Sequence, residues 1–152
     1  MGDFFGSMYC WFEDLFGIEL ANYLWGQATA DQQTNMFIGI GLSMFGVSLL
    51  VAILYYYVIN HPRLNTFLGW AIFLVANAAI NFLIGWQWVL SHYYGGKMKT
   101  VDQITNQEVD LNISASDCVS FGVSNMILSL FVFLFFSYII KWWSSNCSRA
   151  PF

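Results

Sequence analysis

The side chains that most often carry chemistry are few in this chain and poorly spaced for it. His61 and His92 are the only histidines. The first falls in a short turn and the second at the far end of an apolar run, so the two cannot hold one metal ion or haem. No Cys-x-x-Cys, no His-x-x-Glu and no glycine-rich phosphate loop occurs. Serines are numerous, but none has an evident base paired with it, which leaves nucleophilic catalysis without support. Cys10, Cys118 and Cys147 make an odd count. Cys10 and Cys118 fall in segments expected on one side of a membrane, where an oxidising compartment would allow a disulfide. The bland alternative is three free thiols. No cofactor, metal or enzymatic activity is expected.

Amides and small residues say more. Asn77 and Asn81 lie one helical turn apart within an apolar run, and Asn125 lies in another. An amide in hydrocarbon must find a partner. Asn125 is the natural candidate, and the role expected is interhelical glue. The competing reading is a polar stripe along a pore, which Gln87 and Ser91 extend only partly because Trp88 lies more squarely on it. Gly39, Ser43 and Gly46 share one helical stripe, and small residues at that spacing let helices approach closely, within the chain or between subunits.

The elements that position these residues follow from where charge is missing. No Asp, Glu, Lys or Arg occurs between Asp31 and Arg63, between Arg63 and Lys97, or between Asp117 and Lys141. The 152 residues are 58% hydrophobic, 20% aromatic and 9% charged, with a mean hydropathy of +0.57. Soluble domains average about 25% charged residues. Three runs, 36–59, 66–90 and 120–140, exceed the ~20 apolar residues that a bilayer core requires. The expected fold is one all-α integral membrane domain over residues 1–152, with three transmembrane helices. A net charge of −4 argues against nucleic acid.

Ahead of the first span, residues 4–25 are aromatic but broken by charge. Asp3, Ser7, Cys10 and Asp14 form one stripe, and Phe5, Met8, Phe12 and Phe16 another. This spacing predicts an amphipathic helix that lies in the interface or caps the bundle, with Gly17 as a breaking point. Residues 27–35 form a polar linker. The turn Asn60-His61-Pro62-Arg63 makes the first two spans an antiparallel hairpin. In the long loop 95–117, Gly95-Gly96 ends the second helix. Val109, Leu111 and Ile113 alternate with polar residues, which predicts a short β-hairpin with a strand drawn from 100–104. Asn112-Ile113-Ser114 is an acceptor sequon. Aromatic belts are expected at Tyr55, Tyr56, Tyr57, Trp70, Trp142 and Trp143 at one interface, and at Trp25, Trp86, Trp88, Tyr93 and Tyr94 at the other.

Orientation follows from the bases. Arg63 in the short turn, with Lys141 and Arg149 in the tail 141–152, lie on one side of a three-span chain. The positive-inside rule makes that side cytoplasmic and puts the N-terminus and long loop outside, with Lys97 and Lys99 opposing. A plasma or inner membrane fits best. Residues 1–20 do not read as a secretory signal, and Gly6 stands where a myristoylation signal wants Ser or Thr. The span interiors hold no ionisable residue, which argues against a coupled transporter. The expected function is a non-enzymatic structural or assembly subunit whose partners are the lipid bilayer, itself and other membrane proteins. The alternative is a homo-oligomeric pore or channel lined by the Asn face.

Overall fold

A computed structural model describes residues 2–26, 35–58, 66–101 and 107–142. Its frame is three long helices: α4 (Met36–Ile53), which continues as a π-helical turn over Leu54–Val58, α5 (Phe67–Tyr94) and α6 (Ala115–Lys141). With 23, 28 and 27 residues, all three are long and apolar enough to cross a membrane. At about 1.5 Å per residue they reach roughly 35–42 Å, against a hydrocarbon core of ~30 Å.

Local chemistry sets the helix starts. The Asn35 side chain accepts a 3.0 Å bond from the Phe37 amide at the head of α4. Thr66 Oγ1 accepts from the Gly69 amide at 3.3 Å and caps α5. Both satisfy amides that lack partners in a helix's first turn. Helix α6 starts five residues before the expected 120 because the Ser114 amide donates to the Asp117 carboxylate at 2.8 Å. This serine–aspartate pair is a helix-start signal, not loop sequence. At the other end, α5 continues past 90 to Tyr94, and Gly96 takes φ 62° just beyond it. The turn at 60–63 lies outside the described residues.

The expected N-terminal helix is three short ones: α1 (Gly2–Cys10), α2 (Glu13–Phe16) and α3 (Ile18–Trp25). Gly17 separates α2 from α3 at φ 89°, ψ 144°, a conformation that L side chains rarely adopt. Phe12, at φ −112° and ψ 13°, separates α1 from α2. These breaks fold the segment over α4, α5 and α6. Its acids Asp3, Asp14 and Glu19 stay exposed, while Phe5, Tyr9, Phe16, Leu20 and Leu24 are buried. Tyr9, four residues on from Phe5 and three before Phe12, lies on the aromatic side of the helix. It stacks on Phe37 at 5.1 Å and on Phe121 at 5.4 Å, and Phe16 meets Phe121 edge-on at 5.3 Å. That aromatic stack ties the N-terminal layer to both α4 and α6.

The other end of the bundle has its own core of Ala52, Tyr55, Tyr56, Trp70, Phe133 and Ile140. In the wider π turn, successive side chains diverge less than in an α-helix, and Tyr55 and Tyr56 both face inward. Tyr55, Tyr56 and Trp70 therefore pack the interior and do not form an aromatic belt, whereas Tyr57, Tyr94 and Trp142 are exposed. The long loop carries the expected hairpin, with β1 (Lys99–Val101) antiparallel to β2 (Glu108–Asp110) and Thr100 opposite Val109. Met98 and Ile113 tuck into the core beside it, while Val109 stays exposed because the hairpin stands clear of the bundle.

Gly41 is where α1 meets α4. A Cβ there would run into the Phe5 ring close to its point of attachment. Gly41→Val should therefore undock the N-terminal layer at a cost of about 1–3 kcal/mol, typical of overpacking. The expected result is a lower melting temperature and faster proteolysis before residue 26, with helical circular dichroism nearly unchanged. Leu42→Val, at an exposed position on the same helix, is the control. Equal protease resistance of the two variants would refute the contact's importance.

Candidate functional site

The polar residues of the bundle interior converge on one ladder. Asn77 and Asn81 face α6 from one side of α5, and Asn125 and Ser129 face α5 from one side of α6. All four are fully buried. Asn125 Nδ2 donates to the Asn81 carbonyl at 2.6 Å. Asn81 Nδ2 donates to the Asn77 carbonyl at 3.0 Å and to Asn77 Oδ1 at 3.1 Å. Asn77 Nδ2 donates to the Ser129 carbonyl at 3.2 Å. From the N-terminal layer, the Tyr9 hydroxyl completes the chain by donating to Asn125 Oδ1 at 2.5 Å. One hydrogen-bonded series therefore joins α1, α6 and α5.

Glycine makes room for it. A Cβ on Gly85, one turn beyond Asn81, would lie 2.9 Å from Asn125 Cβ. Without one, Asn125 lies close enough to α5 to reach the backbone carbonyl. The Asn81 amide can face only one way, because flipping it would point its oxygen at two acceptors. Its Oδ1 then has no partner among the described residues, and neither do Ser48 Oγ and Trp86 Nε1. Nearer the other end, Trp70 Nε1 donates to Ser137 Oγ at 3.4 Å and joins α5 to α6 a second time.

The ladder is electrically neutral. Its one weakly acidic member is Tyr9, whose hydroxyl is pushed well above the ordinary phenol range by burial. It stays a neutral donor at any physiological pH. The arrangement can fix helix register and dock the N-terminal layer. It offers no general base, nucleophile or charge.

The other candidates are scattered. Gln87 and Ser91 do not continue the Asn stripe, which passes instead through buried Gly85 and Val89; they are exposed on another face of α5 beside Trp88. The Tyr23 hydroxyl and His92 Nδ1 are hydrogen-bonded at 3.0 Å, and His61 lies outside the described residues. Cys10 and Cys118 are free thiols, partly buried and buried respectively, and Cys147 lies outside the described residues. Burial, and after it the Glu13 carboxylate, push the Cys10 thiol up, which disfavours the reactive thiolate. Among the described residues no group of three or more His, Cys, Asp or Glu side chains could hold a metal ion.

The small-residue stripe divides. A Cβ on Gly39 would press on the Trp88 ring at 3.2 Å. Ser43 Oγ donates to its own helix at the Gly39 carbonyl, 2.8 Å away. A Cβ on Gly46 would meet no atom of the described residues within 4 Å. Searches among protein families, curated proteins and solved structures find no match to this chain.

Sequence spacing brought forward Asn77, Asn81 and Asn125 but missed two members of the ladder. Ser129 was legible, because it lies one turn from Asn125 on α6. Tyr9 was legible as part of the aromatic side, four residues on from Phe5, but its bond to Asn125 was not, because it joins segments far apart in the chain. Asn125→Leu should leave the buried Tyr9 hydroxyl only the weak Met44 sulfur acceptor, 4.0 Å away, and lower stability by about 1–3 kcal/mol. Adding Tyr9→Phe removes that hydroxyl and should recover part of that loss. A double-mutant cycle in detergent should give a coupling of about 0.6 kcal/mol or more, the average for interhelical bonds in a membrane protein. Strict additivity of the two substitutions would show that the bond contributes nothing.

Proposed function

We propose that this chain is a non-enzymatic multi-pass membrane protein that acts as a structural or assembly subunit of a homo-oligomer or larger membrane complex. The observation that carries this reading is how little the chain covers its own helices. Over the most apolar window of each long helix, only 33%, 28% and 44% is buried. Leu50, Leu68, Val75 and Phe131 are among the large side chains left exposed. A surface this apolar and uncharged needs lipid or protein against it. Gly46, open on α4, suits the close approach of a second helix. The neutral, internally bonded ladder also suits assembly better than catalysis. A pore lined by Asn77 and Asn81 has less support, because both side chains are fully buried inside the single chain.

In this reading α4, α5 and α6 span a plasma or inner membrane, and the N-terminal layer lies at its outer boundary. The N-terminus and the hairpin are outside, and the C-terminus is cytoplasmic, on the side of Arg63, Lys141 and Arg149.

The assembly claim is tested by mass in mild detergent. Wild type should run as an oligomer or with a partner. Gly46→Leu should insert normally and keep its stability as a single chain but lose assembly mass, since a Cβ at Gly46 meets no atom of the described residues within 4 Å. Ile72→Leu, on the exposed face of α5, should behave as wild type. A monodisperse wild-type monomer that copurifies with nothing would defeat the reading.

Orientation is tested by thiol labelling of intact cells. In a cysteine-free background, Asp110→Cys on the exposed hairpin should react with an impermeant maleimide. A chain retaining only Cys147 should react after lysis alone. Cys118 is a poor reporter because it is buried. Labelling of Cys147 in intact cells would reverse the topology.

A further inference from the structure

Between α1 and α6 the chain leaves a groove of about 830 Å³. Leu128, Phe131 and Val132 from the middle of α6 form one wall. Asp3, Ser7 and Trp11, spaced one turn apart on and just beyond α1, belong to the other. The volume falls within the roughly 300–1,000 Å³ typical of small-molecule sites. Two large aromatic side chains stand open on it, Trp11 at 84% exposure and Phe131 at 64%.

The polarity of the groove runs in one direction. Asp3 follows Gly2, whose carbonyl accepts a 3.4 Å bond from the Asn35 side chain at the very start of α4. That places Asp3 toward the end of the bundle where α4 begins, with Ser7 one turn further along α1, while Phe131 and Val132 lie well along α6. A carboxylate and a hydroxyl thus head a trough that is otherwise apolar. Among the described residues the one ion pair joins Lys99 to Glu108, and no basic side chain reaches Asp3.

We propose that this groove binds one membrane phospholipid with a primary-ammonium head group. The ammonium sits on Asp3 and Ser7, and an acyl chain lies against Trp11, Phe131 and Val132. The inference rests on the membrane reading above and adds a ligand to it. Asp3 is the one charged residue lining the groove, and a bilayer supplies matching positive charge as lipid head groups. A primary ammonium can donate charge-assisted hydrogen bonds to both oxygens. A quaternary ammonium has no N–H to donate, and an anionic head is repelled by Asp3. The acyl chain contributes fit and little selectivity, because bilayer hydrocarbon is as apolar as the groove. Discrimination therefore belongs to the head group.

The test is native mass spectrometry of the full chain, extracted from bilayers holding equal amounts of ethanolamine, choline and glycerol phospholipids. One ethanolamine lipid should be retained per chain, in preference to the other two. Asp3→Asn should reduce that preference on the order of tenfold, the scale of a lost hydrogen bond to a charge. Ser7→Trp should fill the groove and abolish retention of all three. Both sites are exposed, so neither substitution disturbs the core. Equal retention of the three lipids, or ethanolamine retention indifferent to both variants, would overturn the proposal. So would a lipid-free dimer that Ser7→Trp dissociates, since the groove would then hold a second copy. Subunit number is read from the same spectrum, so a monomer that still selects ethanolamine lipid defeats assembly and leaves this site standing. A chain released from membranes by alkaline carbonate overturns both.

Discussion

The structure depends on its interior polar groups bonding to one another, because no charge and no aqueous surface is available to them there. Three apolar helices can shift past one another with little change in hydrophobic energy, especially where the surroundings are themselves hydrocarbon. A bond from Asn125 to the Asn81 carbonyl or from Asn77 to the Ser129 carbonyl cannot shift without leaving an amide unpaired. The ladder therefore sets the register of α5 against α6. Aromatic stacking and the close approach at Gly85 then fill in around that register.

Tyr9 extends this control beyond the three long helices. Its ring lies between Phe37 of α4 and Phe121 of α6, while its hydroxyl ends the amide ladder. One side chain thus couples the N-terminal layer to the polar centre. Large aromatic rings supply wide contact area with few rotatable bonds. The result is a thin bundle thickened on one face, with Asp3, Asp14 and Glu19 outward and Phe5, Tyr9 and Phe16 inward. That asymmetry also creates the groove beneath α1, which exists because the N-terminal layer covers α6 only in part.

Two surfaces of the same helix show how differently small residues can act. Gly41 accepts the Phe5 ring and holds the N-terminal layer, whereas Gly46 accepts nothing. In the sequence both are glycines in an apolar run. Their roles diverge because about one and a half turns of helix carry Gly46 to the other side of α4. The consecutive tyrosines of the π turn make a related point. Tyr55 and Tyr56 resemble interfacial anchors by type and position, yet the widened turn draws both into the core.

The sequence by itself determined what depends on composition and local bonding. The absence of charge dictated three long apolar helices, alternation dictated the hairpin strand at Val109, and Gly17 marked a break. The Ser114–Asp117 cap was equally local, although composition alone assigned it to the loop. Asn77, Asn81 and Asn125 were legible as groups in need of partners, since burial of an amide without one is costly wherever it occurs. Which partners they take was decided by the tertiary structure. So were the bond from Tyr9 to Asn125, the face of Gly46 that meets no described residue and the free thiols of Cys10 and Cys118. Each of these depends on which faces meet between segments distant in the chain. A helical stripe fixes which residues share a side, but only the packed bundle fixes what that side touches.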